Sequence, residues 1–221
     1  MKPLRLSASL ILLSLLAACG SSPPARYYTL QTPAPSATAS AGNAGFMIEV
    51  LPVIVPAQAD QPQIMLRTGE GSIVPLYSER WSAPLGDELR AALSDGLTRD
   101  LGVLDVRVVR PPVGTPVWRV QADVQRFDVS ERGQAVLDVT WRARPISVKG
   151  QALICRSIIA LTAPGTDIPH LVVAQQQAAA LLARTIASGI RQAGQNAEPA
   201  GPQVIMQGCT TLSEAAVLPE G

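Results

Sequence analysis

Residues 118–143, WRVQADVQRFDVSERGQAVLDVTWRA, decide the fold. Trp118, Val120, Ala122 and Val124 alternate with Arg119, Gln121 and Asp123, the period-two pattern of a strand with one face buried. Phe127 and Val129 resume the apolar series out of phase, which predicts a bulge near Gln125-Arg126. Ser130-Glu131-Arg132-Gly133 supplies a turn. A second strand then places Ala135, Leu137, Val139, Trp141 and Ala143 on one face and Asp138, Thr140, Arg142 and Arg144 on the other. A two-stranded hairpin with one apolar face needs further layers to cover it.

Working outward, Leu153 to Thr162 is apolar on both faces except for Arg156, which predicts a central strand. A helix follows from about Pro169 to Gln192, with Ala174, Ala178, Leu181, Leu182, Ile186 and Ile190 on its apolar side. Upstream, Asp105-Val106-Arg107-Val108-Val109 reads as a strand ending at Pro111-Pro112. Pro84 to Leu101 reads as a helix, because Leu85, Leu89, Leu93, Leu97 and Leu101 recur every four residues. Asp87, Glu88, Arg90, Asp95 and Arg99 are assigned to its solvated side, Ser82 to its N-cap and Gly102 to its end. Earlier strands are expected at Phe46–Val50, where Pro52 and Pro56 confine the continuation to an edge or a break, at Ile64–Arg67, and at Ser72–Tyr77. The expected order is βββ-α-ββββ-α: a single α+β domain with a mixed, mostly antiparallel sheet and two main helices.

The N-terminus carries a different signal. Lys2 and Arg5 precede an apolar stretch from Leu6 to Leu16, followed by Ala17-Ala18-Cys19. The stretch fits a signal-peptide core and is too short to span a bilayer. Small residues before a cysteine are the pattern of a bacterial lipoprotein signal, in which Cys19 becomes the acylated first residue. The expected divisions are signal peptide 1–18, lipidated Cys19 with a flexible linker to 45, domain 46–193, and a Gly-, Pro- and Gln-rich tail 194–221. Tyr27-Tyr28-Thr29-Leu30 interrupts the linker and suggests a short strand pinned to the domain edge.

Removing residues 1–18 from the 221 leaves 203, enough for one substantial domain. The remaining 16 basic and 17 acidic side chains nearly cancel, and no basic run suggests a nucleic-acid partner. Cys155 and Cys209 are an even pair in an exported chain, which suggests a disulfide closing a loop of roughly fifty residues, worth about 3–4 kcal/mol. Two buried free thiols are the alternative.

No catalytic constellation emerges. His170 is the one histidine, at a helix start, where it reads as a surface or capping residue. Cys155 and Cys209 form no C-x-x-C motif, no nucleophile elbow, phosphate loop or zinc-protease motif occurs, and no metal or cofactor is expected beyond the lipid on Cys19. Asp87 and Glu88 are adjacent on a helix and diverge by about 100°, so they do not converge on one substrate; their expected role is to favour the helix N-terminus.

The ordered set of Cys19, Tyr27-Tyr28-Thr29-Leu30, Ile48-Glu49-Val50-Leu51-Pro52-Val53 with Pro56, Gln61-Pro62-Gln63-Ile64 with Arg67, Arg80-Trp81 with Pro84-Leu85, and Arg126-Phe127-Asp128 resembles the PqiC/YmbA-type lipoproteins, also called ABC-type transport auxiliary lipoproteins. The tail bearing Cys209 departs from the family pattern by its length. The resemblance implies a non-enzymatic component of an envelope lipid-transport system, anchored in the outer membrane, facing the periplasm, and partnered by an MCE-domain conduit protein with its inner-membrane complex. Gly20 after Cys19, where Asp would be associated with inner-membrane retention, agrees with that address. The resemblance also allows a homo-oligomeric ring. In this frame Trp81, Arg80, Tyr27 and Tyr28 are candidate partner contacts, Trp81 having a core role as the competing reading. A stand-alone envelope-integrity or assembly lipoprotein and a periplasmic lipid-binding carrier are the alternative functions.

Overall fold

The computed structural model describes residues 24–32 and 44–212. The elements in chain order are β1 (Arg26–Tyr28), β2 (Met47–Val50), β3 (Gln63–Arg67), β4 (Ile73–Trp81), α1 (Leu85–Leu101), β5 (Val117–Ser130), β6 (Gln134–Ile146), β7 (Ala152–Thr162), α2 (Ile168–Arg191) and β8 (Val204–Leu212). All eight strands join one mixed sheet in the order β1-β4-β3-β5-β6-β7-β8, with β2 paired to β5 off that path. The β3–β4, β5–β6, β6–β7 and β7–β8 pairs are antiparallel, while β1–β4, β2–β5 and β3–β5 are parallel. The α+β class, the two helices and the single domain are as expected.

The central hairpin follows its pattern. β5 and β6 pair from Val117↔Ile146 to Val129↔Ala135, and the register shifts between Val124 and Arg126, where the phase of the apolar residues changes. The apolar series of β5, β6 and β7 faces the helices, and Trp118, Trp141, Leu137, Leu153 and Ile159 are fully buried there. The buried Trp141 indole donates from Nε1 to Ser157 Oγ at 2.9 Å, so its polar edge is satisfied within the core. The alanines of α2 let α1 approach closely: a Cβ built on Gly96 would meet the Ala183 Cβ at 2.5 Å.

Several expectations are corrected. Asp105–Val109 is not a strand. The buried Asp105 accepts from Ser94 Oγ at 2.7 Å and from the Arg107 amide at 2.9 Å, and its carbonyl accepts from the Val108 and Val109 amides. This local bonding draws the β-branched run into turns, and only Asp105 bridges to Ile48. Ser82 is not the N-cap of α1; Pro84 holds that position, and Ser82 bonds to Glu88 instead. Gly102 does close the helix in the left-handed conformation, φ 66°. Residues 204–212 of the expected tail form β8, which covers the outer edge of β7 and makes β7 a central strand. The sequence of β8 lacks clean alternation because its register with β7 shifts between Cys155 and Ser157 and Gly208 adopts φ 124°.

Candidate functional site

Four of the motifs named above lie on the neighbouring strands β1, β4, β3 and β5. β1 lies on the outer edge of β4, with Arg26, Tyr27 and Tyr28 opposite Glu79, Arg80 and Trp81. Such a short strand holds its place through side chains. The buried Glu88 carboxylate, 4% exposed, accepts from Thr29 Oγ1 at 2.7 Å, from the Leu30 amide at 2.9 Å and from the Ser82 hydroxyl. Gln176 of α2 donates from Nε2 to the Thr29 carbonyl at 2.8 Å, and Leu30 is buried among the core residues. Charge-assisted bonds of this kind are the strong ones, and here they substitute for strand length. Glu88 was expected on the solvated side of α1. Its spacing, three residues from Leu85 and four from Ala92, puts it on the apolar face and was the available signal.

Arg26 donates to Glu79 from Nε at 3.0 Å and from its terminal nitrogen. Burial alone would raise the Glu79 carboxyl, but hydrogen bonds from Arg26 and Tyr28 outweigh it and hold the group below its ordinary value. Burial, with the contact to Glu79, raises the Tyr28 phenol.

A second cluster ties β5 to β3. Asp128 Oδ2 accepts from Arg67 Nη2 at 2.6 Å and from Arg126 Nε at 2.8 Å, and Asp128 Oδ1 accepts from Arg126 Nη2 at 3.0 Å. Burial works upward on the Asp128 carboxyl, yet the two guanidinium groups together keep it below its ordinary value. Phe127, between these residues in sequence, faces the core and packs on Trp81 with ring centroids 6.0 Å apart. The Arg-Phe-Asp motif therefore ties β5 to β3 by charge on one face and to β4 by an aromatic pair on the other. A shallow cleft of about 120 Å³ opens beside Met65, Arg67, Arg126 and Asp128. It is smaller than the ~300–1,000 Å³ of a typical small-molecule site.

The candidate contacts separate. Trp81 is 4% exposed and belongs to the core, which removes it as a partner contact. Tyr27 is 64% exposed, and Arg80 lies opposite it in the register, so the two share one exposed face. Tyr28 is half-buried. The Cys155 and Cys209 sulfurs are bonded, joining directly opposed positions of β7 and β8 with Cα atoms 4.2 Å apart. His170 bonds to Asp167, the N-cap of α2, whose carboxylate accepts from the His170 amide at 3.2 Å. Cys19 lies outside the described residues, as do residues 33–43 and 213–221. Residues 24–32, assigned to a flexible linker, belong to the domain wherever they are paired and clamped. Among the described residues, no group of three or more His, Cys, Asp or Glu side chains is placed to hold a metal ion, and no helix is long and apolar enough to cross a membrane.

This architecture defines a class: one α+β domain with two helices on one face of a mixed sheet, its N-terminal segment clamped to a sheet edge. The chain belongs to the family described as ABC-type transport auxiliary lipoprotein component, which it matches over residues 28–187. Two solved structures share the fold. One, described as an uncharacterized protein, has a TM-score of 0.63 at 20% identity and covers 76% of this chain and 99% of its own. The other, protein XCC0632 from Xanthomonas campestris, of the family DUF330, has a TM-score of 0.50 at 16% identity and covers 68% of this chain and 86% of its own. Curated proteins give no match. The chain is thus an auxiliary lipoprotein component of ABC-type transport.

Proposed function

We propose that this protein is an outer-membrane-anchored periplasmic lipoprotein, acylated on Cys19, that serves as a non-enzymatic subunit of an MCE-type, Pqi-like phospholipid transport system supporting membrane integrity. Membership of the auxiliary lipoprotein family carries the reading. The Leu16-Ala17-Ala18-Cys19 pattern supports the anchor, and Gly20 supports the outer-membrane address. The partner is an MCE-domain conduit with its inner-membrane complex, and the domain contributes protein-binding surface to it, as a single copy or as part of a ring. The lipid-carrier alternative is disfavoured because fully buried Trp118, Trp141, Leu137 and Leu153 fill the space between sheet and helices where an acyl chain would lie.

The test is co-purification of the full-length lipidated protein with an MCE-domain protein after mild detergent extraction. The expected result is a stoichiometric complex. Recovery of the protein alone, under conditions that keep a known conduit intact, overturns the partnership and leaves the stand-alone reading.

A further inference from the structure

The docked N-terminal segment sets how the domain meets the membrane. Five residue steps separate Cys19 from Pro24, where the described chain begins, and a fully extended chain covers at most about 18 Å in that number. β5 alone has 14 residues, so it extends about 46 Å. An acyl group on Cys19 would therefore hold the β1 corner close to the bilayer, on a leash shorter than the domain itself.

The surface of that corner suits a lipid interface. All three tyrosines of the chain, Tyr27, Tyr28 and Tyr77, lie on β1 and β4. Tyr27 is 64% and Tyr77 73% exposed. Arg80, opposite Tyr27, makes no ion pair among the described residues and donates from Nε to the Tyr77 carbonyl at 3.3 Å. Exposed tyrosines beside an uncompensated arginine match the amphipathic side chains found where protein meets lipid headgroups, the aromatic ring at the interface and the cation among phosphates.

We propose that the exposed β1–β4 edge, through Tyr27, Tyr77 and Arg80, is a membrane-apposed surface that contacts phospholipid headgroups and fixes the orientation of the domain on the bilayer. This rests on acylation of Cys19. The 104–115 loop then lies at the far end. Arg80, beside Tyr27, lies opposite Gln63 of β3, and Leu66 three residues on is level with Val129 of β5, so the corner is level with about Arg126. β5 begins nine residues before that, about 30 Å along the strand, where that loop joins it. Val113 at its tip is fully exposed.

The experiment uses the full-length lipidated protein in vesicles of phosphatidylethanolamine and phosphatidylglycerol, 3:1, carrying a headgroup quencher. A fluorophore is placed on Gln31→Cys at the corner or on Val113→Cys at the far loop, Cys19 being acylated and Cys155 and Cys209 bonded. Quenching at position 31 is expected to exceed that at 113 by at least about threefold. A Tyr27→Ser/Tyr77→Ser/Arg80→Ser variant should cut the ratio to less than half. Equal or reversed quenching in protein that floats with vesicles overturns the apposition alone, as does an unchanged ratio in the triple variant. Undiminished flotation of Cys19→Ala overturns the acylation reading and the apposition with it.

Discussion

The two edges of the sheet are secured by different chemistry. β1, with three residues, is held by a buried carboxylate that collects three hydrogen bonds and by an arginine–glutamate pair. β8, with nine residues and no charged side chain, is held by a disulfide to its neighbour. Neither strand buries much apolar surface, since Leu30 beside β1 and Val204 in β8 are their buried side chains. Each edge therefore relies on discrete fastenings, polar at β1 and covalent at β8, and they fail under different conditions: the β1 clamp when a carboxylate is lost, the β8 staple when a thiol is restored. The N-terminal edge is tied through its own backbone and Thr29 hydroxyl to one side chain of each helix, Glu88 of α1 and Gln176 of α2.

The largest effect is expected at the β8 edge. The Cys155–Cys209 bond spans 54 residues, and loop-closure entropy for that length corresponds to about 4 kcal/mol. Replacing both cysteines by serine should lower the denaturant midpoint by that order. A loss under about 1 kcal/mol would mean that β8 contributes little to the folded state. Next is Glu88→Ala at the β1 edge. It leaves the Leu30 amide and two hydroxyls without their acceptor, and hydrogen bonds to a charged group are worth about 1.5–3 kcal/mol each. The total is capped by release of the segment, so a loss of about 3 kcal/mol is expected, with Glu88→Gln intermediate. Amide exchange at Leu30 separates clamp from bystander: unchanged protection in Glu88→Ala would show that β1 does not depend on it.

The same contrast explains what could be read in advance. The β5–β6 hairpin, its bulge and both helices follow from apolar spacing, because their residues repeat against a single core. The edges do not repeat. β8 looked like a tail because a bulge at Gln207-Gly208 breaks its alternation, and only the cysteine pair hinted at its place. Asp105–Val109 looked like a strand because propensity cannot register a buried aspartate that captures the following amides. At the candidate site, Tyr27, Tyr28 and Arg80 were legible as motif residues. The role of Glu88 was not, since a carboxylate in a helix first turn has an ordinary electrostatic reading that hides a structural one.

Acid should loosen the β1 side of the molecule before the β8 side. Glu79 and Asp128 both titrate below their ordinary values of 4.5 and 3.8, held there by Arg26 and Tyr28 in one case and by Arg126 and Arg67 in the other. A depressed folded value stabilises the fold above the unfolded value and is lost as pH falls through the folded one. Stability should therefore be level above about pH 5 and decline below about pH 4.5, whereas a disulfide carries no proton. Unfolding curves from pH 6 to pH 2.5 check this. Asp128→Asn should be less stable at pH 6 and show a shallower decline, while an unchanged acid limb would assign the loss to other groups.

The smallest effect is expected on the open face near β8, and it bounds what charge contributes there. Arg156 pairs with Asp138 across β6 and β7, its terminal nitrogen 2.7 Å from Oδ2, but its side chain is 46% exposed. An exposed pair of this kind is worth about 0–1 kcal/mol, because water screens the attraction and two side chains lose freedom to make it. Arg156→Ala should therefore shift stability by less than 1 kcal/mol and leave β8 in place, since the disulfide at the adjacent Cys155 fixes the strand independently. In the Cys155→Ser/Cys209→Ser background the same change should cost no more, because Arg156 lies opposite the bulge and contacts β6, not β8. A coupling above about 1 kcal/mol in the triple variant would show that the ion pair shares in holding the edge, and the sharp division between a charged clamp at β1 and a covalent one at β8 would have to be redrawn.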